Sequence, residues 1–320
     1  MPAQSNNSPV RVAIVGTGNV GATFAYALLL SGLAAEIVLI DVNRARAEGE
    51  AMDLNHALPF THPTRVWAGD YSDCAGAVVT VLTAGAAQNP GETRLDLVKK
   101  NAAIWSQIVP QAVKPNPGGI LLIATNPVDV LTYAAWKLSG LPSERVIGSG
   151  TILDTARFRY LLSQHFRVDA RSVHAYIIGE HGDSEVPVWS SANIAGMRLA
   201  QFSQSQQMLH DPKAMEEIFL QTRDAAYRII ERKGATYYAV AAGLMRITQA
   251  ILRNQRTVLS VSSLVRDYHG LNDVCFSLPT VIDRGGVEQV IRLELDSGEI
   301  EKLRHSAQIL RKTIASLNLA

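Results

Sequence analysis

Two stretches of the chain carry residue types and spacings that could do chemistry. "GTGNVG" sets Gly16, Gly18 and Gly21 in a G-x-G-x-x-G spacing. "IIGEHGDSEVPVWS", residues 177–190, places His181 between an acid and a glycine at the end of an apolar run. Such glycines often serve only as turns. Here they follow an apolar run directly and open a helical pattern, which is the context that dinucleotide binding needs. Gly16 permits the tight turn, Gly18 lets the backbone approach a pyrophosphate, and Gly21 lets the helix pack close to the sheet. The helix N-terminus then offers N–H groups and a positive dipole to the phosphates. Asp41 ends the next apolar run about 20 residues later, where an acid accepts hydrogen bonds from the adenosine ribose. That carboxylate repels a 2′-phosphate and favours NAD over NADP, with Arg44 and Arg46 nearby counting the other way. His181 is less telling. Most histidines in a chain of this size are satisfied core or surface groups, and the stretch alone favours that reading.

Three further segments deserve the same weighing. "AGAAQNPGETRLDLVKKN" (residues 84–101) turns at Pro90-Gly91 and reads as helix from Leu95. It is either an ordinary exposed loop or, since it leaves the carboxyl end of a strand, a lid carrying Gln88 and Arg94 over a ligand. "ATNPVD" (residues 124–129) also ends a strand, but Asn-Pro is common turn chemistry. In "LDTARFRYLL", Asp154 and Arg157 are three apart on one helix face, which on its own reads as a modest intrahelical ion pair. Arg159 lies roughly 200° around the helix from Arg157 and should face elsewhere.

The elements that must position these residues follow a pattern. Short runs rich in Val, Ile and Leu alternate with helical stretches: "RVAIVG", a helix over Ala22–Leu30 closed by Gly32, "EIVLIDV", "AVVTVLTAG", "GILLIATNP" and "RVIGSG". Near-continuous apolar strands separated by helices indicate a parallel sheet covered on both faces. After Thr151 the character changes. A helix over Asp154–His165 leads into strand-like stretches around His174 and Val186. A long amphipathic helix runs from about Asp211 to Lys233, and Gly234 breaks it before another helix. Two β segments (Thr257–Val265, Phe276–Ile282) and a final helix complete the chain. We therefore expect an α/β fold, with a Rossmann-type parallel-sheet domain over residues 9–149 and an α+β catalytic domain over residues 150–320.

Composition narrows the possible partners. The 320 residues are 47% hydrophobic, enough for a sizeable core, and 30 basic against 29 acidic residues leave a net charge of +1. That balance gives no electrostatic footprint for nucleic acid or an anionic membrane. Cys74 and Cys275 are too far apart for zinc or redox spacing, so no metal site is expected. Two lone thiols fit a reduced compartment. The start "MPAQSNNSPV" lacks the apolar core of a signal peptide, and no apolar run reaches bilayer length. A cytoplasmic protein is the expectation.

Taken together, "VAIVGTGNVG", "AGAAQNPGETRLDL", "ATNPVDVLTYAAWKLSGLPSERVIGSGTILDTARFRYLL", "IIGEHGDSEVPVWS" and "KGATYYAVA" resemble the lactate and malate dehydrogenases, and within them the bacterial L-lactate dehydrogenases. The resemblance covers nearly the whole chain, in the family's order. It implies reversible reduction of pyruvate to L-lactate by NADH, and usually a homotetramer. Residue by residue, it makes His181 the catalytic acid/base and Asp154 its partner. It gives the substrate carboxylate to Arg157 and the lid arginine to Arg94. Gln88 would face the substrate side chain, with Asn126 and Thr236 lining the site. The matching cofactor positions are Gly16, Gly18, Val20, Gly21, Asp41, Arg46, Tyr71, Gly85, Ala86, Ala124, Thr125 and Ser149. Arg159 and His174 match the positions that bind fructose 1,6-bisphosphate across a two-fold interface in bacterial members.

These roles are chemically coherent. Reduction of a 2-oxo acid needs a hydride and a proton, and an imidazole exchanges protons near neutrality in both directions. Asp154 would fix its tautomer and stabilise its charge. Arg157 offers two parallel N–H donors to a carboxylate. Arg94 would stabilise charge growing on the carbonyl oxygen. Malate enzymes carry arginine where Gln88 stands, to pair with a second carboxylate, whereas a neutral glutamine suits the methyl of pyruvate. A non-catalytic NAD sensor would be expected to lack one of Arg94, Asp154, Arg157 or His181, and all four are present.

Overall fold

Val12, Ala13, Ile14 and Val15 are all buried, so the first strand must be covered on both faces. A computed structural model of the chain, which describes residues 9–86 and 94–317, shows how. Strands β1 (Arg11–Val15), β2 (Glu36–Ile40) and β3 (Arg65–Ala68) are joined through helices α1 (Asn19–Ser31) and α2 (Arg44–Ala57). Next come β4 (Ala77–Leu82), α3 (Arg94–Val113), β5 (Ile120–Ile123), α4 (Val128–Ser139) and β6 (Val146–Gly148). These six strands are parallel, in the order β6-β5-β4-β1-β2-β3. Val12 and Ile14 pack with Phe24, Leu28 and Ala51 on one face; Ala13 and Val15 pack with Trp105, Val109 and Leu131 on the other. The period-two alternation of a strand is hidden because both sides are core.

The second half begins with α5 (Ile152–Phe166), followed by the two-residue strands β7 (Val173–His174), β8 (Ile177–Ile178), β9 (Val186–Pro187), β10 (Asn193–Ile194) and β11 (Met197–Arg198). Helices α6 (Leu199–Ser205), α7 (Pro212–Lys233) and α8 (Tyr238–Leu252) come next, then β12 (Thr257–Val265), β13 (Val274–Asp283), β14 (Gly286–Val290) and α9 (Ser297–Ala315). The long amphipathic helix begins where the sequence places it, because Asp211 caps it and Pro212 takes its first position. Gly234 ends it in a left-handed conformation.

The sheet does not stop where the sequence pattern changes. β12 pairs antiparallel with β6 through Ser262 and Gly148, and β13 and β14 extend the same layer, so that the described residues form a nine-stranded sheet. Helix α8 adds Leu244 and Ile247 to the core that holds Val12 and Ile14. The change of pattern near residue 150 is thus a change of role within one continuous core. Periodicity cannot reveal this, because the joining contact links residues more than a hundred positions apart.

Gly150 sits at that junction with φ +53, and a methyl group there would lie 2.6 Å from the Ser262 amide nitrogen. Gly150→Ala is expected to cost about 2 kcal/mol or more, from backbone strain added to collision with β12. A urea midpoint within error of the parent's would show that the junction has room.

Candidate active site

The carboxyl ends of the parallel strands are lashed together by side chains from the segments that leave them. Thr83 donates from Oγ1 to the Gly16 carbonyl at 2.6 Å. Thr125 Oγ1 and Trp105 Nε1 both donate to the Ala84 carbonyl. Asn101 accepts from the Ala86 amide through Oδ1 and donates through Nδ2 to the Asn126 carbonyl. The Ser149 amide donates to the Ile123 carbonyl at 2.7 Å. The expected cofactor positions Gly16, Ala86, Thr125 and Ser149 therefore share one framework of hydrogen bonds, to which Gly85 and Ala124 belong by chain continuity.

The glycine turn fits a dinucleotide. Gly16 has φ +101, and a Cβ there would lie 2.5 Å from the Ala84 nitrogen. At Gly21 a Cβ would collide with the Gly16 carbonyl, so this glycine serves the close helix packing. A Cβ on Gly18 would meet nothing within 4 Å, which leaves its backbone open to a ligand at the start of α1. Asp41 is held ready. Its Oδ2 accepts from the Thr17 amide at 2.6 Å and hydroxyl at 2.9 Å, and its Oδ1 from the Asn43 amide at 2.9 Å. Burial pulls its pKa upward, but these bonds and the Arg46 charge outweigh it and keep the group below the ordinary carboxylate value. Arg46 also lies 3.9 Å from Glu50, while Val20 packs on one apolar cluster and Tyr71 on the other. Thr17 was not singled out from sequence, since an x position in the glycine motif carries no type requirement.

A cavity of ≈ 460 Å³ opens between α3, α4, α5, α7 and α9, and its wall includes Asn126 and Pro127 in the segment that leaves β5. It gathers Asn126, Asp154, Arg157 and His181 from three separate segments. The imidazole Nδ1 lies 2.5 Å from Asp154 Oδ2, and Arg157 Nη1 donates to Asp154 Oδ1 at 3.0 Å. One buried carboxylate thus serves both residues, and the intrahelical pair and the site are the same object. With Nδ1 engaged, Nε2 is the ring nitrogen available to a ligand. Burial alone would lower the His181 pKa, yet the charge and hydrogen bond of Asp154, with Asp129 and Glu185, raise it to about 9. Asp154 stays below the ordinary value because the His181 and Arg157 charges outweigh its own desolvation.

The loop that carries His181 is anchored from two sides. On α9, the Ser306 hydroxyl accepts from the Glu180 amide at 2.8 Å, and Glu299 accepts from the Ser190 amide and hydroxyl. On α4, Asp129 Oδ2 accepts from the His181 amide at 2.7 Å. The sequence reading missed Asp129, because an acid in a helix's first turn reads as an ordinary dipole partner. It also missed Glu185, buried in the cavity wall four residues after His181, and Arg223 on α7. Nothing short of the tertiary fold would have singled these out.

Other expected residues lie elsewhere. Thr236 sits in the turn between α7 and α8, outside the residues lining the cavity. Gln88 and the Arg94 side chain lie outside the described residues, with Arg94 at the first position of α3. Arg159 does face away from the cavity. Its Nε donates to the Ala175 carbonyl at 2.8 Å and its guanidinium stacks on the Tyr176 ring. His174 is exposed on β7, next to that carbonyl. Among the described residues, no group of three or more His, Cys, Asp or Glu side chains is arranged to hold a metal ion. No helix of the described residues is long and apolar enough to cross a membrane.

The model of the lactate/malate dehydrogenase NAD-binding domain matches residues 10–148, and that of the family's alpha/beta C-terminal domain matches residues 151–318. The chain belongs to the lactate/malate dehydrogenase family. Among curated members, it is 53% identical over 313 residues to an L-lactate dehydrogenase of Priestia megaterium, covering 98% of each chain. It is 51% identical to one of Acetivibrio thermocellus, covering 98% of this chain and all of the relative. Among solved members, a lactate dehydrogenase from a Medee basin deep-sea metagenome superposes with a TM-score of 0.94 at 47% identity, covering 96% of this chain and 98% of that one. The minor L-lactate dehydrogenase of Enterococcus mundtii, in a ligand-bound form, superposes with a TM-score of 0.94 at 42% identity, covering 97% and 99%. As members of this family do, the chain has an NAD-binding first half, and its Rossmann-type sheet and following α/β region are those expected from the sequence.

Three groups of the site hold protons more tightly in the folded chain than in an unfolded one. Burial raises Asp129 from 3.8 to about 7, and burial together with the Asp154 charge raises Glu185 from 4.5 to about 9. His181 rises from 6.5 to about 9. Between each ordinary and raised value the folded chain binds more protons than the unfolded one, so stability falls as pH rises through those windows. The His181 contribution is complete below about 6.5 and lost towards 9. The urea midpoint of the ligand-free chain should therefore decline from pH 6 to 9, and Glu185→Gln should flatten the decline. A midpoint that rises across this range would contradict the proton bookkeeping.

Proposed function

We propose that this family member is an L-lactate dehydrogenase that reversibly reduces pyruvate with NADH, holding the cofactor on residues 9–149 and the substrate on residues 150–320. The observation that carries the reading is the buried Asp154, shared by His181 and Arg157 in the wall of one cavity. The names of the relatives at 51–53% identity agree with it.

Gly16, Gly18 and Gly21 with α1 would hold the pyrophosphate, and Asp41 the adenosine ribose. Val20, Arg46, Tyr71, Gly85, Ala86, Ala124, Thr125 and Ser149 would line the rest of the cofactor path. The bound nicotinamide supplies the hydride. Arg157 keeps donors beyond the one given to Asp154, and these grip the substrate carboxylate. His181, held protonated by Asp154, delivers its proton from Nε2 to the carbonyl oxygen as that oxygen gains negative charge, and recovers it in the reverse reaction. Asp154 stabilises the imidazolium before transfer and fixes the ring afterwards. Asn126 borders the substrate, and Arg94 closes over it to stabilise the oxygen once water is excluded. Gln88 reads the substrate side chain.

NADH oxidation with pyruvate beside oxaloacetate tests this reading, with pyruvate expected to be strongly preferred. In Gln88→Arg the ratio of kcat/KM should move towards oxaloacetate by at least about tenfold, because an unpaired buried carboxylate costs several kcal/mol and the arginine pairs it. An unchanged ratio would remove Gln88 from the specificity site.

We also infer regulation by fructose 1,6-bisphosphate in a cytoplasmic homotetramer. Two copies of Arg159 and His174 meeting across a two-fold axis would make a cationic cluster suited to two phosphates. What supports this is that α5 carries Arg157 on its cavity side and Arg159 on the side tied to Ala175, so a shift of α5 would reach both. The bisphosphate should lower the KM for pyruvate in the parent and have no such effect on Arg159→Gln. A parent enzyme indifferent to the bisphosphate would refute the coupling.

A further inference from the structure

Asp129 is a buried acid for which neither the dinucleotide turn nor the proposed proton transfer has a use. It lies in the first turn of α4 with 2% of its surface exposed. One oxygen, Oδ2, accepts the His181 backbone N–H at 2.7 Å. The other, Oδ1, has no hydrogen-bond partner, and the buried Ser262 hydroxyl on β12 lies beside the carboxyl, outside hydrogen-bond geometry and without a partner of its own. A buried carboxylate that is half satisfied weakens a fold, and an apolar side chain would suit this interior better. Its position below the histidine loop gives the group a purpose.

We propose that Asp129 is a positioning residue for His181: it fixes the histidine's backbone from α4 and adds a negative charge near the imidazole to the one from Asp154. This rests on the assignment of His181 as the proton donor.

The charged neighbours of the imidazole can be named element by element. Helix α5 brings Asp154 and Arg157, α7 brings Arg223, α4 brings Asp129, and the loop itself brings Glu180, Asp183 and Glu185. Helix α9 contributes the uncharged Ser306. Asp129 in turn faces His181 and Glu180 on the loop, the Cys275 thiol on β13 and Ser262 on β12. Burial pushes the carboxyl up to about 7, against the pull of Ser262, the His181 N–H and the His181 charge. Asp129 is accordingly neutral at low pH, where His181 is protonated in any case. It gains its charge as pH passes about 7, where the imidazolium first needs support. The two groups titrate as a linked pair, so that one proton's departure from Asp129 delays the departure of the next from His181.

The experiment compares the parent with Asp129→Asn, which keeps the shape and an acceptor oxygen but loses the charge. With 13C-labelled histidine, NMR follows the His181 ring in the substrate-free protein, its signal among the eight histidines assigned by its loss in His181→Asn. The His181 pKa should fall by about one pH unit. In pyruvate reduction, kcat/KM of Asp129→Asn should match the parent at pH 6 and drop by about three- to tenfold at pH 9. A constant fractional loss at every pH with an unmoved imidazole titration would mean that Asp129 serves only the fold, and would overturn the proposal. Ser262→Ala removes a single hydroxyl and provides the test should the asparagine variant fold poorly. It should raise the Asp129 titration and lower that of His181, as Asp129→Asn does but by a smaller step, and no change in either would also overturn the proposal. If the parent fails to reduce pyruvate, the functional reading falls, while the ring titration still judges Asp129.

Discussion

Asp154 has 3% of its side chain exposed, and its two oxygens are divided between His181 and Arg157. A carboxylate at that depth stays ionised only when its oxygens are paired with cations, and removing one partner of such a group costs about 3–5 kcal/mol. That requirement ties the start of α5 to a loop 27 residues further along. It also brings the proposed proton donor and the guanidinium proposed to bind the substrate carboxylate to one anion. The site and the local stability of the second half therefore rest on one group, and neither neighbour can be changed without leaving a buried charge exposed to its own desolvation.

The rest of the architecture serves to bring that group to the dinucleotide turn. Helix α5 leaves β6 at the carboxyl edge where β1, β4 and β5 also end, and antiparallel strands β12 and β13 extend the sheet beyond β6. Thr151, at the entry to α5, donates from its amide to Ser277 on β13 and from its hydroxyl to the Ile177 carbonyl. The glycine turn and the His181 loop are thus tied to one sheet, the loop through the paired Gly179 and Ser277. Positioning of this kind is what a hydride transfer demands, because small displacements of the reacting atoms are expensive.

Electrostatics on the histidine side are more crowded than the reaction requires. Asp129, Asp154 and Glu185 all bear on one imidazole, and burial keeps two of them reluctant to ionise. Such a cluster stores protons near neutrality, and its cost to folding is set against α9, whose Ser306 and Glu299 brace the loop from behind. Stability surrendered around an active site and recovered in its supports is a common trade.

Local features of the chain determined a great deal. G-x-G-x-x-G after an apolar strand, Asp41 at the next strand end, and alternating apolar and helical runs depend only on neighbours in sequence, so motif and periodicity reveal them. The helix start near Asp211 and the stop at Gly234 were legible for the same reason, as was the turning away of Arg159 from Arg157, which helical geometry alone dictates. The pairing of Asp154 with Arg157 was visible as a spacing, but not that the same carboxylate holds His181. Asp129 and Glu185 were unremarkable letters in "ATNPVD" and "EHGDSEV". Only the tertiary structure decided that they are buried around one imidazole, since Asp129 is distant from His181 in sequence and the burial of Glu185 depends on elements packed over the loop. The continuation of the sheet from β6 into β12 belongs to the same class, because a strand's own pattern shows that it is covered and never by which strand.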